Sequence, residues 1–314
     1  MKCFVTGSAG FIGSALINKL SSEGYDIIGL YHKNIPKFRS DNVIYYRGDI
    51  KNIDSINKAI KDVDIVFHCA ALLRDYGRKK DFLKTNFEGT KNLVKLCKKY
   101  NIKKFVYLSH FNYKNVNKIS YYSKSKKMAE KYLVDQNIHE NFPCIIIQPG
   151  NVYGPGESVW VLFPLEAIKK NRIALIDKGN GIFLHTYIDN LVDALVKTID
   201  SKKAIGKIIQ ITDGDNNITW GDYLNHLSNL AGKSHIKSNI SLRKAFIIAK
   251  LMDYLNRLFH IKPILSPTSV SIFSNKKKVS VKNANNILDY KPRINYEEGM
   301  KRVESWLREE GYIN

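Results

Sequence analysis

Residues Thr6–Ser14 read TGSAGFIGS, with Gly7, Gly10 and Gly13 three apart. The triplet follows a short apolar run, Lys2–Thr6, and opens a stretch of helical spacing from Phe11 to Ser22. In that setting each glycine has a task. One makes a tight turn, one lets backbone approach a pyrophosphate, and one allows a helix to pack closely on a strand. A dinucleotide's diphosphate would then meet the free amides of Phe11, Ile12 and Gly13 at the helix N-terminus. The triplet alone is a weak sign. Its place between strand and helix, at the start of an alternating run, makes it specific.

Outward from this turn the first half alternates. Strands are expected near 2–6, 26–31, 43–46, 65–68, 104–109 and 144–148, with helices near 11–22, 53–61, 82–99 and 122–136. In the third helix Phe87, Leu93, Val94 and Cys97 recur at helical spacing. Such alternation predicts an α/β fold, a Rossmann-type doubly wound parallel sheet with helices on both faces. After Pro149 the pattern loosens. The expected division is a dinucleotide-binding domain over 1–150, with 183–212 completing its sheet. A smaller C-terminal substrate lobe would span 151–182 and 213–314.

The second strand ends Gly29-Leu30-Tyr31-His32-Lys33. An NAD site usually puts an acid there for the ribose hydroxyls. None is present, and His32 and Lys33 can face a 2′-phosphate, so NADP is favoured over NAD.

The formal charge is +21, from 50 basic and 29 acidic side chains. It reads either as attraction to an anionic partner or as a solvated lysine-rich surface. No RNA-binding or helix-turn-helix signature accompanies it, so no nucleic-acid partner is expected. No apolar stretch is long enough to span a membrane. The N-terminal lysine and short apolar run superficially resemble a leader, but they fit a first strand better. Cys3, Cys69, Cys97 and Cys144 form no CxxC pair. They read as thiols of a reduced compartment, with Cys3, Cys69 and Cys144 in the core, no metal site, and a cytoplasmic location.

Further blocks recur in a familiar order: Gly48-Asp49-Ile50, His68-Cys69-Ala70-Ala71, Asn86 in NFEGT, YSKSKKMAE from Tyr122, PGNVYGPG from Pro149, HTYIDNLVDAL from His185 and YKPRINYEEGMKR from Tyr290. With TGSAGFIGS they resemble the extended short-chain dehydrogenase/reductases over nearly the whole chain. That resemblance implies that Asp49 and Ile50 contact adenine, that Ala70 and Ala71 line the cofactor, and that Pro149–Val152 flank the nicotinamide. Asn86 could instead cap its own helix or bind a buried water.

Tyr122 and Lys126 make a YxxxK pair with Ser125 between them. Four apart on a helix, they share a face. The lysine's charge favours tyrosinate, and the tyrosine can pass a proton to or from a substrate oxygen while hydride moves.

Two departures stand out. The family's second small residue before the catalytic helix is Ser or Thr, whose hydroxyl holds the substrate oxygen. Here the pair is Ser109-His110. Either His110 donates instead, or Ser109 serves by a one-residue shift, or the chain binds cofactor without catalysis. The stretch from His110 to Tyr122 also looks shorter than usual, which would open or reshape the site.

Nucleotide-sugar epimerases of this superfamily commonly carry arginines where this chain has GIFLHTYIDN and SNKKKVSVKNANNIL. Lysines 276–278 would substitute only as point charges. The region ITDGDNNITWGDYLNHL and the helix predicted over 241–259 look instead like the 3β-hydroxysteroid dehydrogenase branch. In that helix Ile247, Ile248, Leu251, Met252, Leu255 and Leu258 form a stripe, with Arg243, Lys250 and Arg257 on another face. It packs over the protein's own pocket or lies on a bilayer as a peripheral contact. The expectation is an NAD(P)-dependent oxidoreductase for a secondary alcohol or ketone, apolar or lipid-linked. The alternatives are a nucleotide-sugar epimerase or dehydratase with retained NAD, and a catalytically impaired binding module. The partner is a small-molecule substrate, and a homodimer is compatible with the sequence.

Overall fold

The computed structural model describes residues 1–74, 76–113, 120–259 and 263–314, without the side chain of Arg257. Most of the shortened stretch between His110 and Tyr122 therefore lies outside the described residues, as does the expected position of Arg257 on its helix.

The first half runs β1 (Lys2–Thr6), α1 (Phe11–Ser22), β2 (Asp26–Tyr31), β3 (Val43–Arg47), α2 (Ile53–Asn57), β4 (Ile65–His68), α3 (Lys79–Phe82), a π-helical stretch (Leu83–Glu88), α4 (Gly89–Lys99), β5 (Lys104–Leu108), α5 (Tyr121–Glu140) and β6 (Cys144–Pro149). The second half contributes β7 (Asn151–Tyr153), α6 (Phe163–Lys169), β8 (Leu175–Ile176), β9 (His185–Tyr187), α7 (Ile188–Lys197), β10 (Ile208–Ile211), α8 (Trp220–Leu230), β11 (Asn239–Ile240), α9 (Leu242–Phe259), α10 (Pro267–Phe273), α11 (Lys282–Leu288) and α12 (Tyr296–Glu309).

Seven strands form one parallel sheet in the order β10-β6-β5-β4-β1-β2-β3. The chain moves outward from β1 to β3, then returns to place β4 on the other side of β1. The crevice beyond that reversal is where such sheets bind ligands. Thr6 pairs with His68 there, so Gly7 and Cys69 leave the sheet side by side.

The central strands read apolar at nearly every position because both faces are covered. Cys3, Val5, Phe67, Val106 and Ile147 join α1 and α7 in one core layer. Phe4, Val66, Phe105, Tyr107 and Ile146 join α4 and α5 in the other. The first layer continues without a break into the C-terminal half through Trp220, Tyr223, Tyr296 and Met300.

Some predicted boundaries shift. The helix expected to reach residue 61 ends at Asn57, because the chain closes in turns and Asp62 takes φ 61°. The third expected helix starts earlier, at Lys79, and contains a π-helical stretch around Asn86. Helix α5, expected to end near residue 136, extends to Glu140, where Asn141 ends it in the left-handed conformation. Cys69 is only half-buried, unlike Cys3, Cys97 and Cys144.

Candidate active site

Gly7 has φ +72°, and a Cβ there would lie 2.9 Å from the backbone N of Ala70. At Gly13 a Cβ would lie 2.2 Å from the Gly7 carbonyl oxygen. The first glycine brings the turn against the β4 loop, and the third lets α1 settle onto it. Gly10 caps α1 without a side-chain hydrogen bond, and the first turn, beginning Phe11-Ile12-Gly13, holds no acid. Among the described residues, the N-terminus of α1 is thus shaped for an anionic group.

A buried chain of hydrogen bonds holds the two loops at the reversal. Thr90 Oγ1 donates to the Asn86 carbonyl at 2.7 Å, which leaves it to accept from His68 Nε2 at 3.0 Å. His68 Nδ1 then accepts from the Thr6 hydroxyl at 2.8 Å, and Thr6 Oγ1 accepts from the Ala70 amide at 3.1 Å. Burial, reinforced by the Lys126 charge, holds His68 well below its ordinary pKa, so it stays neutral in this role.

Asn86 neither caps a helix nor stands apart. Its Oδ1 accepts from the Leu72 amide at 2.7 Å, and its Nδ2 donates to Leu72 O and to Ser125 Oγ. It fixes the loop carrying Ala70 and Ala71 to helix α5. The π-helical stretch around it, a distortion frequent at functional sites, is where this inward-facing amide sits.

Ser120 caps α5 by accepting from the Ser123 amide, which sets the first turn that carries Tyr122. Lys126 lies one turn further on and is 2% exposed. Its Nζ donates to Leu108 O at 2.6 Å and sits 4.0 Å from the centroid of the Tyr107 ring. Burial pushes its pKa down to about 7, opposed by the Glu130 and Cys69 charges.

His110 packs edge-on against Tyr122, with ring centroids 5.5 Å apart and planes at 63°. Among the described residues neither of its ring nitrogens has a hydrogen-bond partner. Burial pushes its pKa down to about 4, with Glu130 opposing. At neutral pH the imidazole is therefore uncharged, with one N–H to give. Ser109 is committed elsewhere: its hydroxyl donates to Glu130 Oε1 at 2.6 Å. Glu130, almost fully buried, also accepts from Gln148 Nε2 at 2.8 Å and Lys127 Nζ at 2.7 Å, which hold its carboxyl below the usual range despite burial. Glu130, the last residue of YSKSKKMAE, and Gln148 had no role assigned from the sequence; Glu130 lies one further turn along the Tyr122–Lys126 face.

At the other end of the crevice, Asp49 Oδ2 lies 3.4 Å from His32 Nε2 and 3.2 Å from Lys51 Nζ. The chain leaving β2, Tyr31-His32-Lys33, carries no acid, yet one arrives from the turn after β3. Lys33 is exposed. Ile50 is buried beneath α4, where a Cβ on Gly89 would meet its side chain at 2.8 Å. Pro149 is buried at the end of β6 and Val152 in the middle of β7. Between them Asn151 accepts from the Tyr113 hydroxyl at 2.9 Å.

His185 stands where an epimerase-type arginine was looked for. It is buried, and its Nδ1 lies 3.0 Å from Asp213 Oδ2. Asp213 also accepts from the Tyr187 amide and Asn190 Nδ2, so this pair braces β9 and α7. No group of residues suited to a metal ion is found among the described residues.

A dinucleotide crevice and a helix-borne Tyr–Lys pair define a nicotinamide-dependent oxidoreductase or epimerase/dehydratase. The profile of the NAD dependent epimerase/dehydratase family matches residues 3–212, and the chain belongs to that family. It is 26% identical over 327 residues to a sterol-4-alpha-carboxylate 3-dehydrogenase, decarboxylating, of Mus musculus, covering 96% of this chain and 90% of the relative. It is 24% identical to a 2-alkyl-3-oxoalkanoate reductase of Stenotrophomonas maltophilia, covering 97% and 99%. The fold is shared with a UDP-glucuronic acid 4-epimerase from Bacillus cereus solved with UDP-glucuronic acid and NAD, at a TM-score of 0.76, 22% identity and coverage of 98% and 99%. The relatives match the 3β-hydroxysteroid dehydrogenase-like branch of the extended short-chain dehydrogenases.

Proposed function

We propose that this chain interconverts a secondary alcohol and a ketone standing one carbon from a carboxylate, on an apolar skeleton, with NADP(H). The observation that carries the chemistry is the His110 ring, its nitrogens uncommitted, set against Tyr122 on the helix that buries Lys126. The substrate class rests on the relatives. Their names describe a 3-dehydrogenase of a 4-carboxylate and a reductase of a 3-oxoalkanoate. Both place the reacting carbon next to the carbon bearing the carboxylate.

The dinucleotide, when bound, supplies or accepts the hydride. Gly7, Gly10 and the first turn of α1 hold its diphosphate, and Ala70, Ala71 and Pro149–Val152 border its path. In oxidation Tyr122 as tyrosinate takes the proton from the substrate hydroxyl as hydride leaves the same carbon, giving a ketone. In reduction it returns that proton to the oxygen. Lys126, as ammonium, favours the tyrosinate. His110 donates its N–H to the reacting oxygen and so orients it. A carboxylate beside the new ketone can leave as carbon dioxide, its bonding pair passing into an enolate that takes a proton from solvent.

Paired assays test the class. A branched long-chain 3-oxo acid should consume NADPH, and its methyl ester should be a poorer substrate. Turnover of the ester at the same kcat/KM would remove the carboxylate from the reading. Release of a tightly held NAD(H) on denaturation, with conversion of UDP-sugars, would replace it with an epimerase. That alternative gains nothing from His185, which is bound to Asp213.

The NADP preference is supported by His32 and Lys51 beside the Asp49 carboxylate, by Arg47 donating to the His32 carbonyl, and by the exposed Lys33 next along the chain. NADPH should bind more tightly than NADH by about tenfold, or 1.4 kcal/mol, in a nicotinamide-fluorescence titration. Tighter binding of NADH would overturn it, with Asp49 then serving the ribose.

A further inference from the structure

Helix α9 packs on the body of the protein through Ala245 and Ala249, with Leu242 and Phe246 partly buried beside them, and turns a second row of large apolar residues outward. Ala245 and Ala249 are fully buried against Ile176 and Val270, and Asn256 lies on the same side. Ile247, Leu251, Tyr254, Leu258 and Phe259 are all more than half exposed, and Ile264 just beyond is 83% exposed. An amphipathic helix usually keeps such large apolar side chains inward. Contiguous exposed apolar surface of this kind marks an interaction site. Met252 and Leu255, expected in the same stripe, are partly buried at its edge.

The charges choose the partner. Over Leu242–Phe259 the sequence carries Arg243, Lys244, Lys250 and Arg257 against one acid, Asp253, in a chain of net charge +21. Arg243, Lys244 and Lys250 are exposed, flanking the outward stripe, while Asp253 is partly buried. An 18-residue helix is about 27 Å long, and no helix among the described residues is apolar enough to cross a membrane. A helix that is apolar outward, basic at its borders and anchored by small residues fits the plane of a lipid interface, with Tyr254 at headgroup depth. We propose that α9 docks this chain reversibly on an anionic bilayer, its outward stripe entering the headgroup boundary and its basic residues meeting lipid phosphates. This docking does not depend on the substrate class proposed above.

Co-sedimentation of the full chain with vesicles tests it. The protein should pellet with mixed phosphatidylcholine–phosphatidylglycerol vesicles and far less with phosphatidylcholine alone. Binding should weaken as the screening length falls from about 10 Å at 0.1 M salt to about 3 Å at 1 M. The double variant Ile247→Glu, Leu251→Glu should lose at least about tenfold in partitioning. Both positions are exposed, so its thermal melt and its NADPH binding should match the parent. Failure of the parent to pellet with anionic vesicles at low salt overturns the proposal, as does equal pelleting of the double variant. Concentration-dependent dimers that the double variant abolishes, without vesicle binding, would give the face to a second copy of the chain.

Discussion

Tyr122→Phe lowers turnover of a verified substrate by about 10²–10⁴, the worth of general acid–base help, and leaves dinucleotide affinity nearly intact. The phenyl ring keeps the edge-on contact with His110 and removes only the hydroxyl. Two companions apportion the rest. His110→Ala should cost about 10² in kcat with little change in NADPH binding, as loss of one preorganised donor does. Ser109→Ala should leave kcat near parental and instead lower stability by about 1–3 kcal/mol, because the buried Glu130 carboxylate loses a donor. Because burial pushes His110 down to about pH 4, its titration should add no inflection between pH 5 and 8. Stopped-flow and steady-state kinetics on the three variants read these outcomes. Parental turnover by Tyr122→Phe refutes the mechanism. A Ser109→Ala loss of kcat without a His110→Ala loss moves the orienting role to Ser109.

Lys126→Met abolishes turnover yet makes the free protein more stable at neutral pH. The Lys126 ammonium is buried, and its pKa falls to about 7 from an unfolded value of 10.5. Between those values the unfolded chain holds a proton that the native chain lacks, so this residue makes stability rise with pH. Its penalty is absent above about pH 10.5, grows as pH falls and is complete below about pH 7. Each pH unit of depression is worth about 1.4 kcal/mol, so the penalty reaches several kcal/mol. Against this, Met leaves the Leu108 carbonyl without its donor, at about 1–3 kcal/mol. The net gain at pH 7 should raise Tm by a few degrees and shrink as pH rises towards 10. A variant less stable than the parent at pH 6–7 would show that the ammonium is no burden there. Stability given up for a buried charge one turn from Tyr122 is the trade expected of a working site.

Much of this was legible along the chain. TGSAGFIGS announced the turn because a left-handed Gly7 and a helix sitting on the Gly7 carbonyl leave no room for a Cβ. The alternation of apolar strands and helices gave the parallel sheet because buried strands must be apolar on both faces. Tyr122 and Lys126 were picked out by the YSKSKKMAE block around them, and they share one face of α5 because helical periodicity is local. Each of these signals is set by residues within a few positions of one another.

What lay beyond that range needed the folded chain. Asp49 reaches His32 only because β3 pairs with β2, so the acid missing from one strand end comes from the next turn. Ser109 and His110 are neighbours whose competition for one role no linear reading could separate. Both residues meet the same helix α5, Ser109 at Glu130 and His110 about two turns earlier at Tyr122, a difference that only the folded chain reveals. On α9 the sequence showed an apolar stripe and a basic face, but not which side would be covered. Ala245 and Ala249 allow close approach to α10 and face the protein with Leu242 and Phe246 beside them, while Ile247, Leu251 and Leu258 are left outside. The sequence by itself determined the sheet, the glycine turn and the Tyr–Lys pair, because these follow from steric limits and local period. Only the tertiary structure decided which polar groups are spent on one another and which remain to meet a ligand, because hydrogen-bond partners and burial are set by residues far apart in the chain.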